Sequence, residues 1–156
     1  MKIAKLDKTT ALDNVEILTE MYYQNAVRCS SVFSFSYGDA EKKIYEMIEY
    51  IAANKAICYG LFDGNLLVGY IWAYYNRFRD ENRVYISEIR VIEEYRGKGY
   101  GEKLINCVEK EAKGLNVNAM YIHAEAMNEG AIRLYKRIGF EPERIQLRKE
   151  IHRDIK

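Results

Sequence analysis

Apolar residues recur along this chain in two rhythms, and the points where one gives way to the other mark out its elements. Lys2-Ile3-Ala4-Lys5-Leu6 alternates with period two and predicts a short first strand. Thr9 or Thr10 is then the expected cap of a helix whose inner stripe is Leu12, Val15, Leu18, Met21 and Tyr22. Residues 29–38, serine-rich with three aromatics, break that stripe and predict a loop. Asp39 is the expected N-cap of a second helix, with Ile44, Met47, Ile48 and Ile51 at i, i+3, i+4 and i+7. Residues 56–62 and 66–75 predict a hairpin around Asp63-Gly64-Asn65. Residues 76–83 predict a charged loop, and 84–92 a third long strand. A helix starting near Gly99 follows, carrying Tyr100, Leu104, Ile105, Val108 and Ala112 on one face and stopping at Gly114. Residues 119–126 predict a strand. Residues 128–138 predict a helix with Ala131, Leu134, Tyr135 and Ile138 inward, closing at Gly139, and 144–151 a last strand after the only proline. The order β-α-α-β-β-β-α-β-α-β predicts an α+β domain around a mixed sheet.

Composition narrows the class. The chain has 156 residues, enough for one domain with a real core, so residues 1–156 are expected to form a single domain. Hydrophobic residues make up 49%, charged ones 30%, and the net charge is +1 with both signs interleaved. That balance predicts a compact fold and leaves no basic footprint for nucleic acid. No apolar run approaches the length of a membrane span, and Met1-Lys2-Ile3-Ala4-Lys5 lacks the apolar core of a signal peptide. Cys29, Cys58 and Cys107 are odd in number and lack zinc-site spacing. They suit reduced thiols, and a soluble cytoplasmic protein is expected.

The chemistry is concentrated after residue 92. Gly97, Gly99 and Gly101 alternate between a strand and an amphipathic helix. Such a turn lets the backbone approach an anion, while the unpaired N–H groups of the first helical turn point at it. Arg96 and Lys98 add charge suited to a pyrophosphate. A Walker loop would need Ser or Thr after Lys98, where Gly99 stands, and a dinucleotide fingerprint would need G-x-G-x-x-G. Arg96-x-x-Gly99-x-Gly101 instead resembles the acetyl-CoA signature of the GNAT (GCN5-related) N-acetyltransferases. A second stretch, Asn128-Glu129-Gly130-Ala131-Ile132-Arg133-Leu134-Tyr135-Lys136-Arg137-Ile138-Gly139-Phe140, resembles that family's N-x-x-A-x-x-L-Y-x-x-x-G-F signature at every fixed position. With the order of elements, the resemblance covers nearly the whole chain.

The resemblance implies the GNAT fold: a central mixed, mostly antiparallel sheet with two splayed parallel strands and about four flanking helices. It implies acetyl-CoA held in the gap between strands 84–92 and 119–126, with transfer of the acetyl group directly to a primary amine of a small molecule or peptide. Main-chain groups of Ile89, Arg90 and Val91 would pair with the pantetheine arm. Arg96, Gly97, Lys98, Gly99, Tyr100, Gly101 and Glu102 would wrap the pyrophosphate, and Asn128 would hydrogen-bond the cofactor near its thiol. Tyr135 would protonate the departing thiolate. For the base, Glu88 is favoured over His123. A glutamate there, partly desolvated, would gain a raised pKa, whereas a histidine begins near the operating pH. A homodimer is also expected, since dimers are common in the family. A CoA-binding sensor without turnover, or a transferase of another acyl group, stays open.

The acceptor pocket is expected from the loop between the first two helices and from the hairpin. Phe33, Phe35, Tyr37 and Tyr74 are the candidate walls, with Tyr75 beside them and Glu88 at the reacting end. Such aromatics suit a cationic amine. Trp72, on a central strand, is expected to be core. The sequence departs from the family at Glu93, where a proline is common, and in its short segment after Phe140.

Overall fold

The computed structural model describes residues 1–29, 34–149 and 151. They fall into two compact units, divided after Glu125. The first unit is built on a five-stranded sheet in the order β1-β2-β3-β4-β5. Its strands are β1 (Lys2–Lys5), β2 (Ala56–Asp63), β3 (Leu66–Phe78), β4 (Glu81–Val91) and β5 (Ala119–Ile122). β1 to β4 run antiparallel in sequence, while β4 and β5 are parallel, as a mixed sheet requires.

Between β1 and β2 lie α1 (Lys8–Asp13), α2 (Val15–Cys29) and α3 (Tyr37–Ala52). The expected first helix is thus two. Its cap is Asp7, not Thr9 or Thr10, and the Asp7 carboxylate accepts the Thr10 N–H at 2.8 Å. At Asn14 the side-chain amide donates to the Thr10 carbonyl, and the chain turns before α2. The cap of α3 is Ser36 rather than Asp39. The Ser36 hydroxyl accepts the Asp39 N–H, and the Asp39 carboxylate accepts the Ser36 N–H, a reciprocal box. Those bonds hold the Asp39 carboxyl below its ordinary value. Helix therefore begins inside the expected 29–38 loop, at Tyr37.

Side chains from α1, α2 and α3 bury one face of the sheet. Ala11, Leu18, Met21, Ile44, Met47 and Ile48 pack with Leu6, Cys58, Leu67, Tyr70 and Trp72. Each large apolar side chain removed from water there contributes about 1.5–3 kcal/mol. The opposite face, with Ile57, Leu61, Ile71, Ala73 and Ile86, lies under α4 (Tyr100–Lys113), which buries Leu104, Ile105 and Val108. Across that layer the Tyr59 hydroxyl donates to Glu111 at 2.7 Å, and Lys5 pairs with the same carboxylate at 2.7 Å.

Residues 76–83 are not a loop. β3 and β4 continue into one another and pair as far as Phe78↔Glu81, leaving Arg79 at φ 54° in the turn. Arg83 lies over the Phe78 ring at 4.9 Å, so the charged residues of this segment ride on strands. β5 is shorter than expected and ends at Ile122.

In the second unit, α5 (Glu129–Arg137) is capped at both ends. The Asn128 side-chain oxygen accepts the Ala131 N–H at 3.2 Å. At the far end Gly139 sits at φ 99°, its N–H donating to the Lys136 carbonyl and that of Phe140 to the Tyr135 carbonyl. This is the Schellman pattern, with the Tyr135 and Phe140 rings in contact at 5.9 Å. Of the strand expected over 144–151, the described residues form none: 141–149 and 151 carry no regular structure, and Ile145 and Leu147 are exposed. An alternating pattern does not make a strand without a neighbour to pair with.

Candidate active site

A bulge and a splay shape the middle of β4. Trp72 pairs with Glu88 and Ala73 with Ile86, so Ser87 is the extra residue. Without it, Glu88 would share the face of Ile86, under α4. With it, Glu88 joins Trp72 on the face covered by α2 and α3. Pairing with β5 ends at Ile86↔Ile122, and beyond it, among the described residues, no strand pairs with the β5 side of β4, which is a free edge. The Ile92 N–H donates to the Val68 carbonyl at 3.0 Å, and a Cβ placed on Gly69 would stand 2.7 Å from the Arg90 carbonyl. Even-numbered residues here thus turn their main chain to β3, and Ile89 and Val91 turn theirs to the free edge. Both exposed carbonyls are met by arginines: Arg90 Nη1 donates to Ile89 O and Arg96 Nε to Val91 O, each at 2.8 Å.

The glycine loop follows directly. A 3-10 turn over Glu93–Tyr95 leaves β4, and the Tyr95 hydroxyl anchors it by donating to Asp63 at 2.6 Å. Lys98 donates to the Glu94 carbonyl at 2.9 Å and lies over the Tyr95 ring. Gly97 and Gly99 have φ of 72° and 77°, conformations that any other residue adopts with strain. Open space surrounds both, since a Cβ on either would meet nothing within 4 Å. Gly99 is the N-cap of α4 and provides no side-chain oxygen for the first turn, where Tyr100, Gly101 and Glu102 stand. A free strand edge running into uncapped amides at a helix N-terminus fits a ligand with an amide-bearing arm and a phosphate.

On the α2/α3 face of the sheet, rings form a ladder. Tyr50 of α3 meets Trp72 and Tyr74 at 6.0 and 5.3 Å, and Tyr74 meets Tyr85 at 5.2 Å. Tyr85 stacks on Tyr121 at 4.8 Å. His123, just past β5, closes the series, its Nδ1 lying 3.2 Å from the Tyr85 hydroxyl. Of the expected pocket walls, Tyr74 belongs to this ladder. Phe35 packs on Tyr22 at 5.8 Å and Tyr37 on Tyr23 at 5.5 Å, near the start of α3. Phe33 lies outside the described residues. Tyr75 pairs with Val84 and faces the α4 side, away from the ladder. Trp72 is core, as expected, at 2% exposure.

Glu88 lies at the inner end of the ladder. Its side chain is 13% exposed and forms an ion pair with Arg90 Nη2 at 2.5 Å. That charge contact is not aligned as a hydrogen bond. Among the described residues, Glu88 Oε2, Arg90 Nε, Tyr70 Oη and Trp72 Nε1 are buried without a hydrogen-bond partner. All four lie on one patch, since Tyr70 pairs with Arg90 and Trp72 with Glu88. Burial raises the Glu88 pKa, and the Arg90 and Lys43 charges pull it back. Burial likewise pushes Tyr22 up to about 12, with the Glu88 charge adding to it.

Glu88 and His123 are thus on the same sheet face. Asn128 and Tyr135 belong to the second unit, where both serve α5: Asn128 as its cap and Tyr135 in its closing ring contact. Sequence reasoning missed Ser87 and the rings of Tyr22, Tyr50, Tyr85 and Tyr121. The alternation of aromatics at 70, 72 and 74 signals one aromatic face. Nothing in the sequence marks the bulge that carries Glu88 to it.

Comparison with known proteins bears on this geometry. The chain is 26% identical over 84 residues to the uncharacterized N-acetyltransferase YdgE of Bacillus subtilis, covering 54% of each. It spans about half the length of the curated relatives it matches first. Its fold is shared with a predicted acetyltransferase from Clostridium acetobutylicum solved with acetyl-CoA (TM-score 0.75, 16% identity, 94% of this chain and 95% of that one). It is shared also with an aminoglycoside acetyltransferase from an uncultured soil metagenomic sample (TM-score 0.72, 16% identity, 97% and 98%). The family model for GNAT acetyltransferases matches residues 18–140, and the chain belongs to the GNAT acetyltransferase family.

Proposed function

We propose that the protein is an acetyl-CoA-dependent N-acetyltransferase that moves the acetyl group directly to an amine. The free β4 edge running into the open, uncapped glycine turn carries this reading. Ile89 and Val91 would bind the pantetheine arm through their main chain, displacing the guanidinium groups of Arg90 and Arg96 from their carbonyls. Arg90 would take part through its side chain. Amides of Gly97, Lys98, Gly99, Tyr100, Gly101 and Glu102 would bind the pyrophosphate, with Arg96 turned toward it. Family membership across residues 18–140 supports the two units acting as one catalytic domain.

Glu88 would accept the proton of the bound amine, by itself or through His123 and Tyr85. Its Oε2 lies 2.5 Å from Arg90 Nη2, so the guanidinium would have to move aside for an amine N–H to reach it. Asn128 would orient the thioester end, and Tyr135 would return a proton to the departing sulfur. No enzyme nucleophile is needed. The ammonium first gives one proton to the base, which passes it to solvent. The neutral amine then forms the C–N bond as the C–S bond breaks, and the second proton lost by nitrogen is balanced by the one gained by sulfur.

Thermal unfolding with and without acetyl-CoA, paired with release of free thiol on adding amines, tests this. Cofactor at a hundredfold excess over Kd should stabilise the protein by about 2.7 kcal/mol. No shift at millimolar acetyl-CoA overturns the proposal. A shift with no thiol release from any amine would make the chain a CoA-binding sensor instead.

A further inference from the structure

We propose that Arg90 is a latch between the cofactor edge and the base: a pantetheine arm that takes the Ile89 carbonyl draws the guanidinium off Glu88. This rests on the transferase reading above and says how the Arg90 side chain takes part in it.

One guanidinium joins two groups that the reaction needs free. Arg90 Nη1 donates to the Ile89 carbonyl at 2.8 Å, on the side of β4 that no described strand covers. Its Nη2 stands 2.5 Å from Glu88 Oε2. Arg96 covers the Val91 carbonyl on the same edge, but from an exposed position. Of these two arginines, Arg90 is the one paired with the carboxylate. A guanidinium is a rigid plane, so Nη1 cannot leave the edge while Nη2 keeps its place. The seat is also a poor one. Arg90 Nε is buried and, among the described residues, has no hydrogen-bond partner, and a buried donor left unpaired is costly. The side chain is already 23% exposed, so its head can swing out without opening the core. An arm that offers its amide N–H to the Ile89 carbonyl replaces one anchor of the latch and relieves the unpaired Nε.

The same movement changes the base. The groups facing Glu88 are Lys43 and Glu46 from α3, Tyr22 from α2 and Tyr70 from β3. Arg90 and Tyr85 face it from β4 itself, and His123 lies beyond Tyr85. Lys43 is already paired with Glu46 at 2.5 Å, and burial keeps the three tyrosines neutral. Arg90 is therefore the main charge holding the Glu88 carboxyl down against burial, and its withdrawal lets that pKa rise. A base whose pKa lies nearer the working pH is the more effective one. The empty protein keeps its base paired, and the arriving cofactor releases it. Coupling of this kind runs both ways, so whatever removes the ion pair tightens acetyl-CoA. The bound state, with the higher Glu88 pKa, takes up protons from solvent, and affinity rises as pH falls through the Glu88 titration.

Calorimetric titration of the full chain with acetyl-CoA, in buffers of high and low ionisation enthalpy, tests the latch. Above the Glu88 titration, Arg90→Met and Glu88→Gln should each lower the Kd about fivefold or more. The double variant should gain no more than the tighter single one, since both changes remove the same contact. Near the Glu88 midpoint, the unaltered protein should take up more protons on binding than either variant. Glu88→Gln is nearly isosteric and keeps the test standing if Arg90→Met does not fold. A Kd that fails to fall in Glu88→Gln overturns the latch, as do gains that add in the double variant or proton uptake equal in all. Those results leave the cofactor reading intact. If the unaltered protein shows neither heat of binding nor a melting shift at millimolar acetyl-CoA, the transferase reading itself fails.

Discussion

Glu88 is held between opposing influences whose balance sets how it titrates. Burial raises its pKa and is the larger cause; Arg90, then Lys43, lower it. A base acts in its deprotonated form, so the rate climbs as pH rises through that pKa. Arg90→Met removes the main lowering influence, and the acidic limb of kcat/KM should move to higher pH. Glu88→Gln should abolish that limb and slow transfer by about 10²–10⁴-fold. A limb that stays put in Arg90→Met and survives in Glu88→Gln would belong to another group, and His123, 3.2 Å from the Tyr85 hydroxyl, would be the next to substitute. Residue-level reading of the sequence reached Glu88 and His123 but not the reason they share a face. Strand parity, counted along β4 without the bulge at Ser87, puts Glu88 on the wrong side of the sheet.

At the scale of elements, the second signature divides into structural and chemical parts. Asn128 caps α5, Ala131 supplies the N–H it receives, and Gly139 and Phe140 close the helix through the Schellman bonds. Most of the pattern is therefore a recipe for one helix of fixed length, and the Tyr135 hydroxyl is the part that capping does not explain. Gly139→Ala forces a side chain to φ 99° and should lower stability by about 1 kcal/mol, read as a lower melting temperature. Tyr135→Phe keeps the ring contact with Phe140, so melting should hold while turnover falls and acetyl-CoA affinity is kept. Unchanged turnover would remove its acid role. The same division explains what the sequence disclosed. Helices with a buried stripe, such as Ile44, Met47 and Ile48 in α3, were legible because periodicity reports burial directly. The glycine loop was legible because only glycine holds φ near 75° without strain. Helix starts were misplaced by up to three residues because Asp7, Ser36 and Asp39 are all competent capping residues, and tertiary position chooses among them. The strand over 144–151 failed for a related reason: alternation specifies a face but not the partner strand that must satisfy its backbone.

For the whole molecule, the question is whether both units answer to one ligand. The family model runs unbroken from residue 18 to 140, across the boundary after Glu125. The residues proposed for cofactor binding divide the same way, with the β4 edge and glycine turn in the first unit and Asn128 and Tyr135 in the second. Hydrogen exchange of the full chain, with and without acetyl-CoA, separates the alternatives. In the first unit the amides of Ile89, Val91 and residues 97–101 should gain protection, because the ligand would meet backbone groups at a strand edge and an uncapped helix start. In the second unit, protection should rise through α5, whose amides exchange by fraying and local opening until something stabilises the helix. Binding to the native state raises the free energy of every opening that passes through a ligand-free form, by up to the full linkage energy. A gain in both units means that one ligand stabilises both. A gain confined to residues 87–103, with α5 exchanging as before, would mean that the second signature builds a helix and nothing more. The proton for the departing thiolate would then have to come from the first unit, where the Tyr85 hydroxyl beside His123 is the group to test by Tyr85→Phe.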